Sequence, residues 1–171
     1  GAVRDDIKTL LRLVSPLVVT TGFDRPNLFF SVMQPKNKSI ELMKLIKERK
    51  NESGIVYCST RKAVEEVCEL LQKNGFAATR YHAGLDENER RRNQDDFVYD
   101  RATIMVATNA FGMGIDKSNV SFVIHYNMPK NMESYYQEAG RAGRDGRSAD
   151  CILLYSAKDV RTNQFLINNS E

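Results

Sequence analysis

The sequence predicts an α/β domain, a three-layer αβα sandwich built on a mostly parallel sheet. Two observations carry that expectation. Short runs rich in Val, Ile and aromatic residues recur along the chain, and several are almost continuously apolar, as strands covered on both faces require. Between them lie more polar segments whose apolar residues return at helical spacing, so strand and helix alternate as in βαβ units.

In chain order, the strands are expected at Leu28–Val32, Ile55–Ser59, Ala78–His82, Ile104–Thr108, Phe122–Tyr126 and Cys151–Tyr155. The helices are expected at Ser39–Lys50, Lys62–Asn74, Glu87–Tyr99 and Met132–Arg141, with a last one near Ala157–Ile167. In the second helix, Ala63, Val67, Leu70 and Leu71 recur at helical spacing, and the Asn74–Gly75 pair has the character of a C-cap. Residues 1–22 have no strand alternation before Leu17–Thr20 and read as a helix plus linker ahead of the main unit. The chain starts GAVRDD without Met, which leads us to expect a piece of a longer protein.

Composition narrows the function classes. A chain of 171 residues fits one domain with a proper core, and 42% hydrophobic with 27% charged residues is typical of a globular protein. The net charge is +3, from 25 basic and 22 acidic residues, so any contact with nucleic acid has to come from local placement. Cys58, Cys68 and Cys151 are odd in number and widely spaced, which argues for a reducing compartment (cytoplasmic or nuclear) and against a structural metal site. No apolar run approaches the roughly 20 residues that cross a bilayer, so no membrane partner is expected.

In a parallel sheet, functional residues gather on loops after the carboxyl ends of the strands. Ser59-Thr60-Arg61, His82-Ala83-Gly84, Thr108-Asn109 with the loop through Gly112, Gly114 and Asp116, and Asn127-Met128-Pro129 all fall there. Small hydroxyls and amides at helix starts suit phosphate. Ser59 or Thr60 serves equally well as an N-cap, His82 and His125 as packed core residues, and Arg90-Arg91-Arg92 as a solvated mixed-charge face. In SYYQEAGRAGRDG (134–146), Gln137, Arg141 and Arg144 stand at i, i+4 and i+7, one face of a helix if the segment is helical. Two guanidiniums separated by Gly and Ala suit a crowded polyanion, although a solvated helix end has the same letters.

The order of these strings resembles the RecQ family of superfamily 2 DNA helicases. FDRPNL (23–28), IVYCSTR (55–61), YHAGL (81–85), ATNAFGMGIDK (107–117) and VIHYNMPKNMESYYQEAGRAGRDG (123–146) occur in the order and spacing of the second half of that family's catalytic core. DEAD-box RNA helicases differ in having His-Arg where this chain has Gln137-Glu138. The resemblance implies a RecA-like second motor domain over residues 23–171, with 1–22 ending the preceding domain. The chain has no GxxxxGK[ST] and no DExH box, so ATP and Mg2+ are expected mainly on the first RecA-like domain of the same polypeptide. By resemblance, Arg144 is an arginine finger, with Arg141 beside it. Gln137, Gly114 and Asp116 face the nucleotide. Ser59, Arg61, His82, Gly84, Thr108 and Asn109 hold single-stranded DNA within a partially duplex substrate. An RNA helicase half and a non-catalytic module of the same fold are the alternatives.

Overall fold

The computed structural model describes residues 25–109 and 117–156. The expected elements at 1–22 and Ala157–Ile167, and the loop positions Gly114 and Asp116, lie outside the described residues. Six strands form one sheet: β1 (Leu28–Met33), β2 (Ser53–Tyr57), β3 (Ala78–Tyr81), β4 (Ile104–Ala107), β5 (Val120–His125) and β6 (Ala149–Leu154). Their order across the sheet is β1-β6-β5-β2-β4-β3, and every pairing is parallel.

The helices are α1 (Lys38–Glu48), α2 (Arg61–Lys73), α3 (Glu87–Val98) and α4 (Met132–Ala139). Each begins at a side chain that takes an orphan amide: Asn37, Thr60, Asp86 and Asn131 accept from the backbone N–H three residues on. The buried stripe of α2 is Val64, Val67, Cys68 and Leu71, with the expected Ala63 and Leu70 at its half-buried margins. The expected stop at Asn74–Gly75 holds, with Gly75 at φ +85°, the left-handed geometry that favours glycine.

Alternation along β2 divides the core. Val56 and Cys58 face α1 and α2 with Leu42, Leu45, Val64, Leu71, Phe122 and Ile124. Ile55 and Tyr57 face the other way, against Phe97 of α3, Ala139 of α4 and Met105 and Val123 of the sheet. Helices therefore cover both faces, which is the three-layer αβα sandwich the sequence predicts, with an all-parallel sheet.

Strands β2 to β6 end one or two residues before their expected limits, with Ser59, His82 and Thr108 already in the loops, whereas β1 runs one residue past its limit to Met33. The main correction concerns α4. It ends at Ala139, so Arg141 and Arg144 do not continue a helical face with Gln137. Gly140 caps the helix, and Gly143 at φ +62° turns the backbone out of it before Arg144.

Candidate functional site

Because all strands run the same way, the loops after β2, β3, β4 and β5 meet at one edge of the sheet, in the spatial order β5-β2-β4-β3. Ser59 follows β2; its backbone N–H donates to Asn127 Oδ1 at 2.9 Å, which joins the β2 and β5 loops, while the residue itself stays exposed. Thr60, not Ser59, is the N-cap of α2, accepting from Ala63 N at 3.0 Å. Ser59 and Asn109 line one depression of about 220 Å³ together with Asn127, Lys130, His125 and Glu138. Thr108 is buried, and its N–H donates to Tyr81 O at 3.2 Å, so it packs beside the end of β3.

The loop after β3 is braced from three sides. His82 is buried, and its Nε2 lies 2.6 Å from Glu65 Oε1. Its Nδ1 accepts the Gly84 N–H at 3.0 Å. A carboxylate only accepts, so Nε2 carries the ring proton and both nitrogens are committed. Glu65 also pairs with Arg80, which in turn reaches Glu89 at 3.0 Å. Burial raises the Glu65 pKa, but hydrogen bonds from His82 and Arg80 outweigh it and hold the carboxyl below its ordinary value. Arg90, read from sequence as part of a solvated face, donates to Ala83 O at 3.1 Å and fixes the same loop from α3. Its neighbour Arg91 pairs with Glu87 at 3.4 Å on the surface, as expected. A Cβ at Gly84 would lie 3.4 Å from Arg61 Cδ, so Arg61, His82 and Gly84 are contiguous.

The arginine turn lies elsewhere. Helix α4 starts at the carboxyl edge with the Asn131 cap and runs back along the sheet. Gly143 N donates to Val120 O at 2.8 Å and Asp145 N to Ser118 O at 3.1 Å, so the turn sits at the amino end of β5. That strand has six residues, about 17 Å at roughly 3.3 Å per residue, so two separate groups of residues flank its ends. Gln137 and Arg144 are exposed and Arg141 is half-buried.

Sequence reasoning gave no role to the residues that hold this turn. Arg25 Nη1 donates to Gly140 O at 3.1 Å and Nη2 to Ala142 O at 2.8 Å. Asn27 Nδ2 donates to Gly143 O at 2.8 Å and Arg147 O at 2.9 Å. The FDRPNL string contained both residues, but their partners are more than a hundred positions away and leave no local pattern.

A second tie braces α4 higher up. His125, expected to be a core histidine, is buried as expected, and its Nε2 donates to Glu138 Oε1 at 2.8 Å. Its ring stacks on Tyr57 with centroids 5.2 Å apart. Burial and Glu138 push the Tyr57 hydroxyl pKa up, with Arg141 and Arg144 pulling the other way.

The helicase conserved C-terminal domain family matches residues 37–146, which includes the β2 loop, the β3 loop and the arginine turn. The chain belongs to the helicase C-terminal domain family. Among its relatives, the ATP-dependent DNA helicase RecQ of Bacillus subtilis is 48% identical over 99% of this chain and 29% of that protein. The ATP-dependent helicase wrn-1 of Caenorhabditis elegans is 46% identical over 99% of the chain and 17% of its own length. The chain therefore spans less than a third of these relatives, and it is a RecQ-type helicase C-terminal domain, as its motifs led us to expect. The fold resembles a DEAD box protein of the hyperthermophile Methanococcus jannaschii, with a TM-score of 0.69 and 27% identity over 81% of this chain and 38% of that one. The domain is RecA-like. Among the described residues there is no cluster of three or more His, Cys, Asp or Glu side chains able to hold a metal, and no helix long and apolar enough to cross a membrane.

Proposed function

We propose that this RecA-like domain is the second motor half of an ATP-dependent 3′–5′ DNA helicase. The observation that carries the reading is the pinned turn after α4, which holds its carbonyls rigidly and leaves Arg144 exposed beside half-buried Arg141. Guanidiniums set on a fixed backbone suit the developing charge of phosphoryl transfer, because they stabilise it without reorganising. Arg144 reaches the γ-phosphate of ATP carried on the first RecA-like domain, Arg141 and Gln137 support the cleft, and Gly114 and Asp116, which lie outside the described residues, are assigned to the nucleotide by resemblance. Mg2+ stays with the first domain, which supplies its ligands.

Single-stranded DNA runs over the other group, on the adjacent β2, β4 and β3 loops. Exposed Ser59, Arg61, Gly84 and Asn109 contact phosphate and sugar, with Thr108 beneath them. His82, with both nitrogens engaged, contributes by fixing the Ala83–Gly84 backbone. Such contacts bind without sequence preference and weaken with salt.

The test is Arg144→Ala in the complete polypeptide. ATP turnover should fall about 10³–10⁵-fold, or roughly 4–7 kcal/mol of transition-state stabilisation, with little change in ATP or DNA affinity. Arg147→Ala is the control: its side chain is 87% exposed and lies 3.7 Å from Asp145, and turnover should stay near wild type. Equal effects of the two, or loss of DNA binding with ATPase intact, defeat the assignment. The isolated chain should hydrolyse no ATP, even with DNA added. DNA preferred over RNA in the complete enzyme separates this reading from an RNA helicase half.

A further inference from the structure

We propose that Arg25 and Asn27 are positioning residues for ATP hydrolysis, acting through the turn that carries Arg141 and Arg144. The inference rests on that turn facing ATP, and it extends the site to the opposite end of the described chain.

The last carbonyls of an α-helix have no partner within it and carry the negative end of the helix dipole. Just beyond α4, the carbonyls of its C-cap Gly140 and of Ala142 in the turn are taken by the two Nη atoms of one guanidinium. A planar fork fits two carbonyls at once, which a lysine ammonium on a flexible stem does not reproduce. Asn27 donates from a single amide nitrogen to two further carbonyls, of Gly143, which also accepts the Gly146 N–H at 3.0 Å, and of Arg147. Four hydrogen bonds from two side chains thus hold the turn at Gly140, Ala142, Gly143 and Arg147.

The clamp is itself anchored. Asn27 O accepts from Ala149 N at 2.9 Å, one step before β1 pairs with β6, and Arg25 O accepts from Leu28 N at 3.0 Å. Gly143 is matched to it twice. Its φ of +62° is left-handed, and a Cβ there would come within 2.5 Å of Asn27 Nδ2, so a side chain would drive the amide away. Neither Arg25 nor Asn27 lies on the loops assigned to DNA. Their loss therefore acts on the arginine turn and leaves the DNA contacts in place.

The experiment uses the complete helicase polypeptide with Arg25→Gln, Arg25→Lys and Asn27→Asp, the last nearly isosteric but without the donor. kcat for DNA-stimulated ATP hydrolysis should fall about 10–100-fold, the scale of a displacement of about 1 Å at a catalytic group. KM for ATP and affinity for single-stranded DNA should stay within about threefold. Arg25→Lys should retain the melting temperature better than Arg25→Gln without recovering kcat. In an Arg144→Ala background, Arg25→Gln should cost less than about twofold more, because its effect passes through the same group. A kcat within twofold of wild type for both Arg25→Gln and Asn27→Asp, or losses that multiply with Arg144→Ala, overturns the positioning role. Full turnover in Arg144→Ala alone instead overturns the reading of the turn, so the two failures are distinguishable. Asn27→Asp keeps the test valid if Arg25→Gln does not fold.

Discussion

Glu138→Leu should destabilise the domain by about 2–3 kcal/mol through what it leaves behind. His125 is 2% exposed and Glu138 12%, and Nε2 to Oε1 is 2.8 Å, so the bond lies out of water. The other ring nitrogen, Nδ1, has no hydrogen-bond partner among the described residues. Removing the carboxylate therefore strips the imidazole of its one recorded hydrogen bond while it stays sandwiched between Tyr57 and Tyr135. An unsatisfied buried polar group costs about 1–3 kcal/mol, and a hydrogen bond to a charged partner contributes about 1.5–3 kcal/mol. His125→Phe alone strands the carboxylate instead, at a similar cost. The double variant replaces both partners with apolar groups, so it should be at least about 1.5 kcal/mol more stable than the sum of the singles predicts. Urea unfolding of the four proteins, with matched m-values, gives the cycle. Single effects that add to within about 0.5 kcal/mol would refute the claim that the pair acts as a unit. The outcome matters for function because α4 carries Gln137 and ends on the arginine turn.

Three further outcomes are expected. Thr60→Ala should cost about 1 kcal/mol through the lost cap, whereas Ser59→Ala should leave stability within about 0.5 kcal/mol; equal urea midpoints would place the cap wrongly. Glu65, held below the ordinary glutamate pKa of about 4.3, contributes stability that is complete above that pH and lost as pH falls through its lower folded value. Glu65→Gln should therefore flatten the decline in urea midpoint below the ordinary glutamate pKa of about 4.3, and identical acid limbs would show that the carboxylate is not responsible. Gly143→Ala should cost roughly 1–3 kcal/mol from the left-handed backbone alone, read as a lower melting temperature, and an unchanged melting temperature would mean that the turn relaxes around the methyl group.

Six strands and four helices could be read from sequence because each signal is local. Apolar runs such as Ile104–Ala107 are buried on both faces, and every helix has its cap side chain adjacent to it. The stripe of α2 slipped by one position, since Ala63 and Leu70 flank the buried face instead of forming it. The shared face for Gln137, Arg141 and Arg144 required the whole segment to be helical, and a local feature prevents it: α4 ends at Ala139, and Gly143, at φ +62°, turns the backbone away before Arg144. What the sequence concealed is long-range. Arg25 and Asn27 meet a turn at the far end of the domain, and Arg90 looked like one more surface charge until its carbonyl partner was located. His125 and Glu138, thirteen residues apart, are joined only because α4 doubles back along β5.

The pairing of β1 with β6 sets an order in time. During synthesis the first described strand emerges more than a hundred residues before Ala149–Leu154, its sole sheet neighbour among the described residues. Strands β2, β3 and β4, with α2 and α3 between them, can associate from contacts close in sequence, while β1 must wait. A nascent chain halted before residue 149 leaves β1 without a partner and β5 with one open flank, with Phe29 already outside the core. The partners of Arg25 and Asn27 lie between residues 140 and 147, within the same late segment. The arginine turn and the strand that completes the sheet thus lie within one stretch, residues 140–154, and a chain cut short before it lacks both.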